Sequence, residues 1–273
     1  MPELPEVETV VRSVKPLLLG RTLVNIERSP FTLRTPWQPA WNRLIPGCSI
    51  IDVTRRGKWI LLELSLPQYR LIVHLGMTGR LLVQQKSTAR PAHTHVIFGL
   101  KENNEELRYL DPRRFGSVTI ARETDSARFP EEEQLGPEPF DLTVKGFSES
   151  LMKSRRNLKA LLLDQSVVAG VGNIYADESL FEARLHPQRL GTSLNAKEAT
   201  SLRKAIVKVL RRAIESKGST ISDFYFGNDE SGSYQDEFRA YGRTDQPCKR
   251  CRKPITRIRL AGRSTHFCDH CQR

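Results

Sequence analysis

The chain has 273 residues, and its 43 lysines and arginines outnumber its 31 aspartates and glutamates to give a formal net charge of +12. This length suits one large domain or two modest ones with ample core, and the excess positive charge favours a polyanionic partner. No apolar stretch approaches the length of a transmembrane helix, so we expect no membrane partner and favour nucleic acid.

The chain begins with a candidate nucleophile beside two acids. The residue after Met1 is small, so we expect Met1 to be removed and Pro2 to carry a free α-amine. An α-amine has a reference pKa of about 7.7–8.0 and is therefore partly neutral at physiological pH. Pro2 would condense with an aldehyde to a charged iminium ion, which acts as an electron sink. Without such a substrate, Glu3 and Glu6 are ordinary acids in the first turn of an amphipathic helix, where they favour the helix dipole.

A helix and then a series of strands are predicted for the first half. Apolar residues from Leu4 to Leu18 recur at helical spacing, and we expect the helix to weaken at Pro16 and to end at Gly20. Short apolar runs separated by turn residues follow over 22–121, a pattern typical of a β-sandwich or barrel. No helical segment lies between them, which argues against a parallel sheet. The candidate strands are 22–29, 49–55, 58–65, 70–75, 80–84, 94–100, 105–110 and 116–121.

Three turns in this region carry residues that are unusual for a core or a plain loop. Residues 55–58 surround a glycine with three cations, which fits phosphate contact and a solvated strand end equally well. Residues 74–79, with the sequence HLGMTG, place Met77 at a loop tip or in a packed turn. Residues 111–116, with the sequence DPRRFG, set an aromatic beside two arginines, a usual way to enter a base stack. The alternative is a structural turn in which Asp111 pairs with one of the arginines.

The second half is predicted to be helical. Residues 122–147 contain an acidic run and a Gly-Pro-Glu-Pro segment, so we interpret them as a linker and place the domain boundary near Leu135. Helices are expected over 147–163, from residue 174 onward and over 195–217, and the first two flank a glycine-containing turn. Asn173 is the expected N-cap of the middle helix, where exposed N–H groups also favour a phosphate. The polar segment 219–239 is long for a connection and is expected to form a functional loop.

Four of the five cysteines lie in the last twenty-six residues. Cys248 and Cys251 form one Cys-x2-Cys pair, and Cys268 and Cys271 form a second pair after sixteen intervening residues. This spacing is that of a four-thiolate zinc ribbon, and a site closed by four thiolates is structural rather than catalytic. Arg263 lies near the tip of the hairpin between the pairs, where we expect a phosphate contact.

Together these motifs resemble the bacterial formamidopyrimidine-DNA glycosylase family. The resemblance rests on MPELPEVE at the start, HLGMTG and DPRRFG in the turns, LGPEP, LLLDQSVVAGVGNIYADESLF and the four-cysteine ribbon, and it covers essentially the whole chain. It implies an α+β multidomain enzyme with a catalytic β-sandwich domain over 1–134. A linker and a helix–two-turns–helix domain with a lesion-recognition loop would occupy 135–240, and a zinc-finger ribbon would occupy 241–273.

The resemblance also assigns roles to matching residues. Pro2 would attack C1′ of a damaged nucleotide while Glu3 moves protons, and Glu6 would support the site. Lys58 would complete this catalytic set by gripping a backbone phosphate near the extruded nucleotide. Three residues would fill the gap left by an extruded base: Met77, Arg113 and Phe115. The other implied DNA contacts are His74, Lys159, Asn173, Tyr241 and Arg263. One structural Zn²⁺ held by the four cysteines is the implied cofactor.

The implied function is excision of oxidised purines, such as 8-oxoguanine and formamidopyrimidines, from damaged double-stranded DNA, with strand cleavage by β,δ-elimination. One alternative is the related endonuclease VIII-like branch for oxidised pyrimidines, whose start more often reads Met-Pro-Glu-Gly. Another is a non-catalytic DNA-binding zinc-ribbon protein, for which the Pro2-Glu3 start would have no use. We expect a monomer that acts on the nucleoid in a bacterial cytoplasm. The chain departs from the family at Arg252, where glycine is common, at a cost of about 1–2 kcal/mol if the backbone is left-handed.

Overall fold

The protein packs as two compact units in a computed structural model, which describes residues 1–122, 134–220, 225–227 and 230–273. The first unit comprises Met1–Glu133 and Lys217–Gly232, and the second comprises Gln134–Ser216 and Ser233–Arg273. The segment 217–232 therefore packs with the β-domain, whereas the sequence grouped it with the helical domain. The acidic run of the predicted linker and parts of the predicted loop lie outside the described residues.

The first unit contains two four-stranded antiparallel sheets. The strands are β1 (Leu23–Arg28), β2 (Ile50–Arg56), β3 (Trp59–Leu64), β4 (Tyr69–His74), β5 (Arg80–Gln85), β6 (Thr94–Leu100), β7 (Glu105–Leu110) and β8 (Ser117–Arg122). Their orders in the two sheets are β1-β6-β7-β5 and β2-β3-β4-β8, and the predicted sandwich with its eight strands is confirmed. Alternating apolar side chains from both sheets bury one common core.

Helix α1 (Leu4–Leu18) packs against this core through apolar residues that include Val7, Val14 and Leu18. It continues two residues past Pro16, where the sequence predicted that it would weaken, and it stops two residues before the predicted end at Gly20. The hydrogen bond that Pro16 removes would be accepted by the carbonyl of Arg12, which lies on the exposed face where water can replace it. A short helix α2 (Trp41–Leu44), which was not predicted, buries Trp41 against the same core.

The second unit is built mainly from helices. The predicted helix over 147–163 is wrong: the structure has α3 (Val144–Met152) and α4 (Leu158–Leu163), and the Asn157 side chain caps α4 by accepting the Ala160 N–H at 2.8 Å. Helix α5 (Asn173–Ala183) has Gly172 as its N-cap, so Asn173 is its first residue rather than the predicted cap. Helix α6 (Ala196–Glu215) begins with the capping box that the sequence predicts. Among the described residues, no helix has both the length and the apolar character needed to cross a bilayer.

The C-terminal ribbon is a two-stranded hairpin, β9 (Thr256–Leu260) and β10 (Arg263–Phe267). Ala261 and Gly262 both have positive φ, as a tight two-residue hairpin turn requires. Cys248 and Cys268 pack with Phe181 of α5, so the ribbon shares a small apolar cluster with the helical part of its unit. Ribbon and helices therefore support one another within the second unit.

Candidate active site

The N-terminus of α1 holds the candidate catalytic acids in a buried position. Pro2 is buried, and the exposed fractions of Glu3 and Glu6 are 3% and 2%. Glu3 is the N-cap: its side chain accepts the N–H of Glu6, while Glu6 Oε2 accepts the N–H of Glu3 at 2.9 Å. This reciprocal capping box holds both carboxylates beside Pro2. The spacing Glu-x-x-Glu before an apolar run is a signal from which the box could have been predicted.

The second oxygen of Glu6 contacts the segment 217–232. Glu6 Oε1 accepts the Ser219 N–H at 2.7 Å and lies 3.0 Å from the Ser219 hydroxyl. Gly218 has φ +77°, and a Cβ at that position would lie 2.9 Å from Glu6 Oε1. Sequence reasoning missed Ser219, because no local pattern links residues that are 213 positions apart. The candidate catalytic start of the chain is therefore joined to the beginning of the predicted recognition loop.

Lys58 and His74 lie in the same unit as the N-terminus. Lys58 is buried after the left-handed Gly57, and its neighbour Trp59 pairs with His74 across the sheet, with ring centroids 4.4 Å apart. His74 Nδ1 accepts the Gly76 N–H at 3.1 Å. Burial, and then the positive charges of Arg34 and Lys58, lower the pKa of His74 to about 4. His74 is therefore neutral at physiological pH and shapes its turn as a hydrogen-bond acceptor.

Arg34 is a second residue that the sequence did not single out. It is exposed, and its N–H donates to the Gly116 carbonyl at 3.1 Å, which attaches the 29–39 segment to the DPRRFG turn. Its charge acts on His74 together with that of Lys58. A surface cation and the predicted phosphate-binding lysine thus both act on the ring of His74.

The HLGMTG turn (residues 74–79) and the DPRRFG turn (residues 111–116) lie side by side. The exposed fractions of Met77 and Phe115 are 37% and 49%, which is high for large apolar side chains. The guanidinium carbon of Arg113 lies 4.7 Å from the centroid of the Phe115 ring. These three exposed side chains lie on neighbouring turns and are called the exposed cluster, which has an apolar part and a cationic part. Asp111 does not pair with the arginine side chains in the described contacts, since its carboxylate accepts hydrogen bonds from other groups.

In the second unit, Asn173 is half-buried at the first residue of α5. Its Oδ1 atom is buried and accepts no hydrogen bond from the residues that the structure describes. Arg263 is exposed at the start of β10. Tyr241 is half-buried, and its N–H donates to Glu178 while its ring packs edge-on against His266 at 5.2 Å. An amide side chain at a helix N-terminus and an exposed arginine are both suited to an anion.

Lys159 occupies a different position from the one predicted. Its side chain is fully buried, and Nζ donates to Asp177 Oδ1 at 2.6 Å and to the Asn173 carbonyl at 2.8 Å. Asp177 Oδ2 in turn accepts the His266 N–H at 2.9 Å, and His266 Nδ1 lies 3.1 Å from the same oxygen. The expectation that Lys159 contacts DNA is therefore wrong, because its charge is enclosed within the unit. It joins α4, α5 and the ribbon through a cluster that the sequence did not reveal.

The four cysteines form a site that fits one zinc ion. Their sulfur atoms all lie within 4.8 Å of one another, with Cys248 and Cys271 at 4.0 Å and Cys251 and Cys268 at 3.5 Å. Four sulfurs at about 2.3 Å from a tetrahedral zinc ion would be separated by about 3.8 Å. Arg252 follows the second cysteine with φ +68°, so the left-handed backbone considered for this position is present. Backbone strain at Arg252 has not displaced the thiols from this arrangement.

Three family models match the chain in order. The formamidopyrimidine-DNA glycosylase N-terminal domain matches residues 1–118, and the H2TH domain of the same enzymes matches residues 135–225. The zinc finger found in FPG and IleRS matches residues 245–273. The chain belongs to the formamidopyrimidine-DNA glycosylase family. The resemblance, the fold class and the zinc cofactor expected from the sequence are confirmed.

Glycosylases of this family are similar to the chain over its whole length. The Desulforamulus reducens enzyme is 42% identical over 277 residues, which cover 100% of this chain and 99% of that one. The Herpetosiphon aurantiacus enzyme is 44% identical over 276 residues, 100% of each chain. Thermus thermophilus MutM superposes with a TM-score of 0.87 at 42% identity, covering 99% of this chain and 98% of that one. A Lactococcus lactis Fpg complex with DNA containing N7-benzyl-Fapy-dG has a TM-score of 0.90 at 35% identity, with 99% of each chain covered. This chain is therefore a DNA glycosylase of the formamidopyrimidine type with a structural zinc.

Proposed function

We propose that the protein excises oxidised purines from double-stranded DNA and then cleaves the strand through a covalent intermediate on Pro2. The observation that carries this proposal is the buried Glu3–Glu6 capping box directly beside Pro2. Support also comes from Lactococcus lactis Fpg, whose structures contain Fapy-dG DNA and abasic-site DNA. The proposal requires removal of Met1, because only then is the nitrogen of Pro2 a secondary amine that can attack.

The first chemical step replaces the base by Pro2. The lone pair of the Pro2 nitrogen forms a bond to C1′, and the glycosidic bond breaks with its electron pair going to the base, which takes up a proton. The sugar then opens at its ring oxygen, which also takes up a proton, and the nitrogen loses its own proton to leave an iminium ion. Glu3 is the group that moves these protons, because its carboxylate is buried and it follows Pro2 directly in the chain.

The second step cleaves the strand. The iminium ion withdraws electrons from C2′, so a proton leaves C2′ and the 3′ phosphate departs by β-elimination. The conjugated product allows the 5′ phosphate to leave by δ-elimination, after which water hydrolyses the iminium and frees Pro2. Both eliminations release phosphate monoesters as leaving groups and need no further cofactor, which agrees with a zinc site closed by four thiols.

The remaining predicted residues hold the DNA. Lys58, Asn173 and Arg263 are assigned to backbone phosphates, which fix the position of the duplex without reading its sequence. His74 and Tyr241 are assigned to DNA contact, each within its own unit, and His74 takes part as a neutral ring. The exposed cluster of Met77, Arg113 and Phe115 is assigned to the space that an extruded nucleotide leaves in the stack. We take the acting form to be a monomer in the cytoplasm, where the bacterial relatives' chromosomes lie.

Oxidised pyrimidines are the second candidate substrate. The observation that favours them is a Lactococcus lactis Fpg complex with DNA that contains an oxidised pyrimidine, at 34% identity and a TM-score of 0.88. Leu4 and the DPRRFG turn favour the purine branch of the resemblance. Single-turnover excision from matched duplexes that carry either 8-oxoguanine or thymine glycol separates the two: faster excision of thymine glycol would reverse the assignment.

The decisive test of the proposed chemistry is borohydride trapping on a duplex with one 8-oxoguanine. We expect strand cleavage without borohydride, and with borohydride a permanent protein–DNA adduct that mass analysis places on Pro2 of a chain lacking Met1. Acetylation of the terminal amine is expected to abolish both, because an acylated nitrogen has no lone pair for attack. An adduct on a lysine such as Lys58, with activity retained after acetylation, would refute the assignment of Pro2.

A further inference from the structure

Asp111 is a fully buried carboxylate to which the proposed chemistry gives no role. Its Oδ1 accepts the Thr78 hydroxyl at 2.6 Å, and its Oδ2 accepts the Gly116 N–H at 2.8 Å. The Tyr109 hydroxyl lies 3.3 Å from the same Oδ2. A carboxylate removed from water is costly unless its oxygens accept hydrogen bonds. Here the donors come from two different turns, so the hydrogen bonds that offset the cost of burying the carboxylate also link those turns.

The donors are placed where they constrain both turns. Gly116 is the last residue of the DPRRFG turn, so its bond to Asp111 closes that turn across its base. Thr78 belongs to the HLGMTG turn, and its Oγ1 also accepts the Arg113 N–H at 3.3 Å. A continuous chain of hydrogen bonds thus runs from the backbone of Arg113 through Thr78 to the carboxylate. Removing the carboxylate would leave donors in each turn without their acceptor.

Close backbone packing leaves the two turns little freedom to shift and re-form these bonds. A Cβ on Gly76 would lie 2.4 Å from the Gly116 nitrogen, and a Cβ on Gly116 would lie 2.0 Å from the Tyr109 hydroxyl. The Tyr109 hydroxyl also donates to the His74 carbonyl at 3.1 Å. The backbones of the two turns therefore pack directly against each other.

We propose that Asp111 is a positioning residue that holds the HLGMTG and DPRRFG turns as one preassembled unit for base extrusion. Insertion of Met77, Arg113 and Phe115 into a base stack has to offset the cost of unstacking and of ordering the inserting loops. The hydrogen bonds that Asp111 accepts from Thr78 and Gly116 are called the brace below. The brace removes the cost of ordering the loops, because the turns are already ordered before DNA binds. The inference rests on the proposed function and deepens it: Asp111 acts through the inserting residues and touches no nucleotide.

The test compares Asp111→Asn with Glu106→Gln. Glu106 is a matched control because it is a buried carboxylate on β7, near Asp111 in the chain, whose oxygens accept from Arg108 and Arg90 instead of from the turns. We expect Asp111→Asn to lower single-turnover excision of 8-oxoguanine from duplex DNA by about tenfold, since one buried donor loses a charged acceptor. Cleavage of a preformed abasic site, which has no base to extrude, is expected to fall much less. Glu106→Gln is expected to leave the ratio of the two rates unchanged.

A pair of variants at Thr78 tests the same brace independently of how well Asp111→Asn folds. Thr78→Val removes the hydroxyl at nearly constant volume and is expected to reproduce the selective loss of excision, whereas Thr78→Ser keeps the hydroxyl and is expected to restore it. A 2-aminopurine next to the lesion reports unstacking directly, and its fluorescence increase on binding is expected to shrink in Asp111→Asn and Thr78→Val but not in Thr78→Ser.

Three outcomes are distinguishable. A selective loss of duplex excision and of the fluorescence change in Asp111→Asn and Thr78→Val supports the brace. Equal losses on both substrates, or normal behaviour of Thr78→Val, would overturn it and leave Asp111 as an ordinary buried group. If the unaltered protein cleaves neither substrate, the proposed function itself fails, and this result is visible before any variant is measured.

Discussion

At the scale of single residues, Glu6 is the group that joins the start of the chain to the segment 217–232. One of its oxygens accepts the Glu3 N–H and the other accepts the Ser219 N–H. A carboxylate can accept at both oxygens, whereas an amide side chain offers one acceptor and one donor. The position and the charge of the Glu6 carboxylate therefore both contribute to this link, whether or not Glu6 touches the substrate.

Glu6→Gln is expected to break one of these two hydrogen bonds, because its NH2 group must face an N–H donor. The unmet donor costs about 1–3 kcal/mol, and we expect excision of 8-oxoguanine to slow by about 5- to 150-fold. Single-turnover kinetics would measure the loss. Glu149→Gln, which alters an exposed carboxylate paired with Lys153, is the control and is expected to behave like the unaltered protein. Full activity of Glu6→Gln would show that this link is dispensable.

His74 makes the stability of the β-domain depend on pH. Its pKa is lowered to about 4, chiefly by burial, from an ordinary value near 6.5. Because the folded protein disfavours the charged imidazole, this contribution is present above pH 6.5 and is lost as pH falls towards 4. Denaturant unfolding at a series of pH values is expected to show this decline. His74→Gln should remove that part of the decline while the exposed His93→Gln retains it; identical profiles for all three proteins would contradict the assignment.

At the scale of secondary-structure elements, the Lys159–Asp177–His266 cluster connects α4, α5 and β10. Each of these side chains is at least nine-tenths buried, and the lysine and the aspartate are fully enclosed. Removing one member of a buried ion pair leaves the other charge without its partner, which is strongly destabilising. The cluster therefore keeps the zinc ribbon attached to the helices of its own unit.

Lys159→Met is expected to lower the free energy of unfolding of the second unit by about 3–5 kcal/mol. It is not expected to change the dependence of DNA affinity on salt, because a buried charge releases no counterion from DNA. Arg263→Gln provides the contrast: we expect the slope of log affinity against log salt to become shallower by about one with stability unchanged. Affinity titrations over a series of salt concentrations, paired with thermal melts, separate the two. A shallower slope for Lys159→Met at normal stability would restore Lys159 as a phosphate contact.

At the scale of the whole molecule, the net charge of +12 gives the protein a general attraction for DNA that no single residue explains. The zinc ribbon adds an exposed hairpin with arginines at Arg257, Arg259 and Arg263. The cysteines that hold this hairpin also pack with Phe181 and Ile255 in the apolar cluster of the second unit. We therefore expect metal binding and DNA binding to be coupled through the folding of the ribbon.

Removal of zinc by a chelator is expected to unfold the ribbon and abolish DNA binding while the sheets of the first unit stay folded. The affinity of the intact protein is expected to fall steeply with salt, as counterion release requires. Metal analysis confirms removal, circular dichroism follows the sheets and a fluorescent duplex measures binding. Unchanged affinity after verified loss of the metal would contradict this coupling.

The sequence by itself determined the features that depend on neighbouring residues. Short apolar runs separated by turn residues predict all eight strands, because each run and the turns that bound it involve only neighbouring residues. The cysteine spacing predicts the zinc site and the Asn195–Glu198 pattern predicts the start of α6, since both act over a few residues. Recognisable motifs also predict the family, which the comparisons confirm.

Only the tertiary structure decided which side chains meet across the chain. It encloses Lys159, joins Glu6 to Ser219 and sets Asp111 between two turns, and none of these contacts leaves a local pattern. It also divides the predicted helix over 147–163. Asn157 caps a new helix at a point where the apolar periodicity alone would have allowed one helix to continue. The physical reason is that burial and pairing of charged groups are set by partners distant in sequence, while periodicity records only which face of an element is apolar.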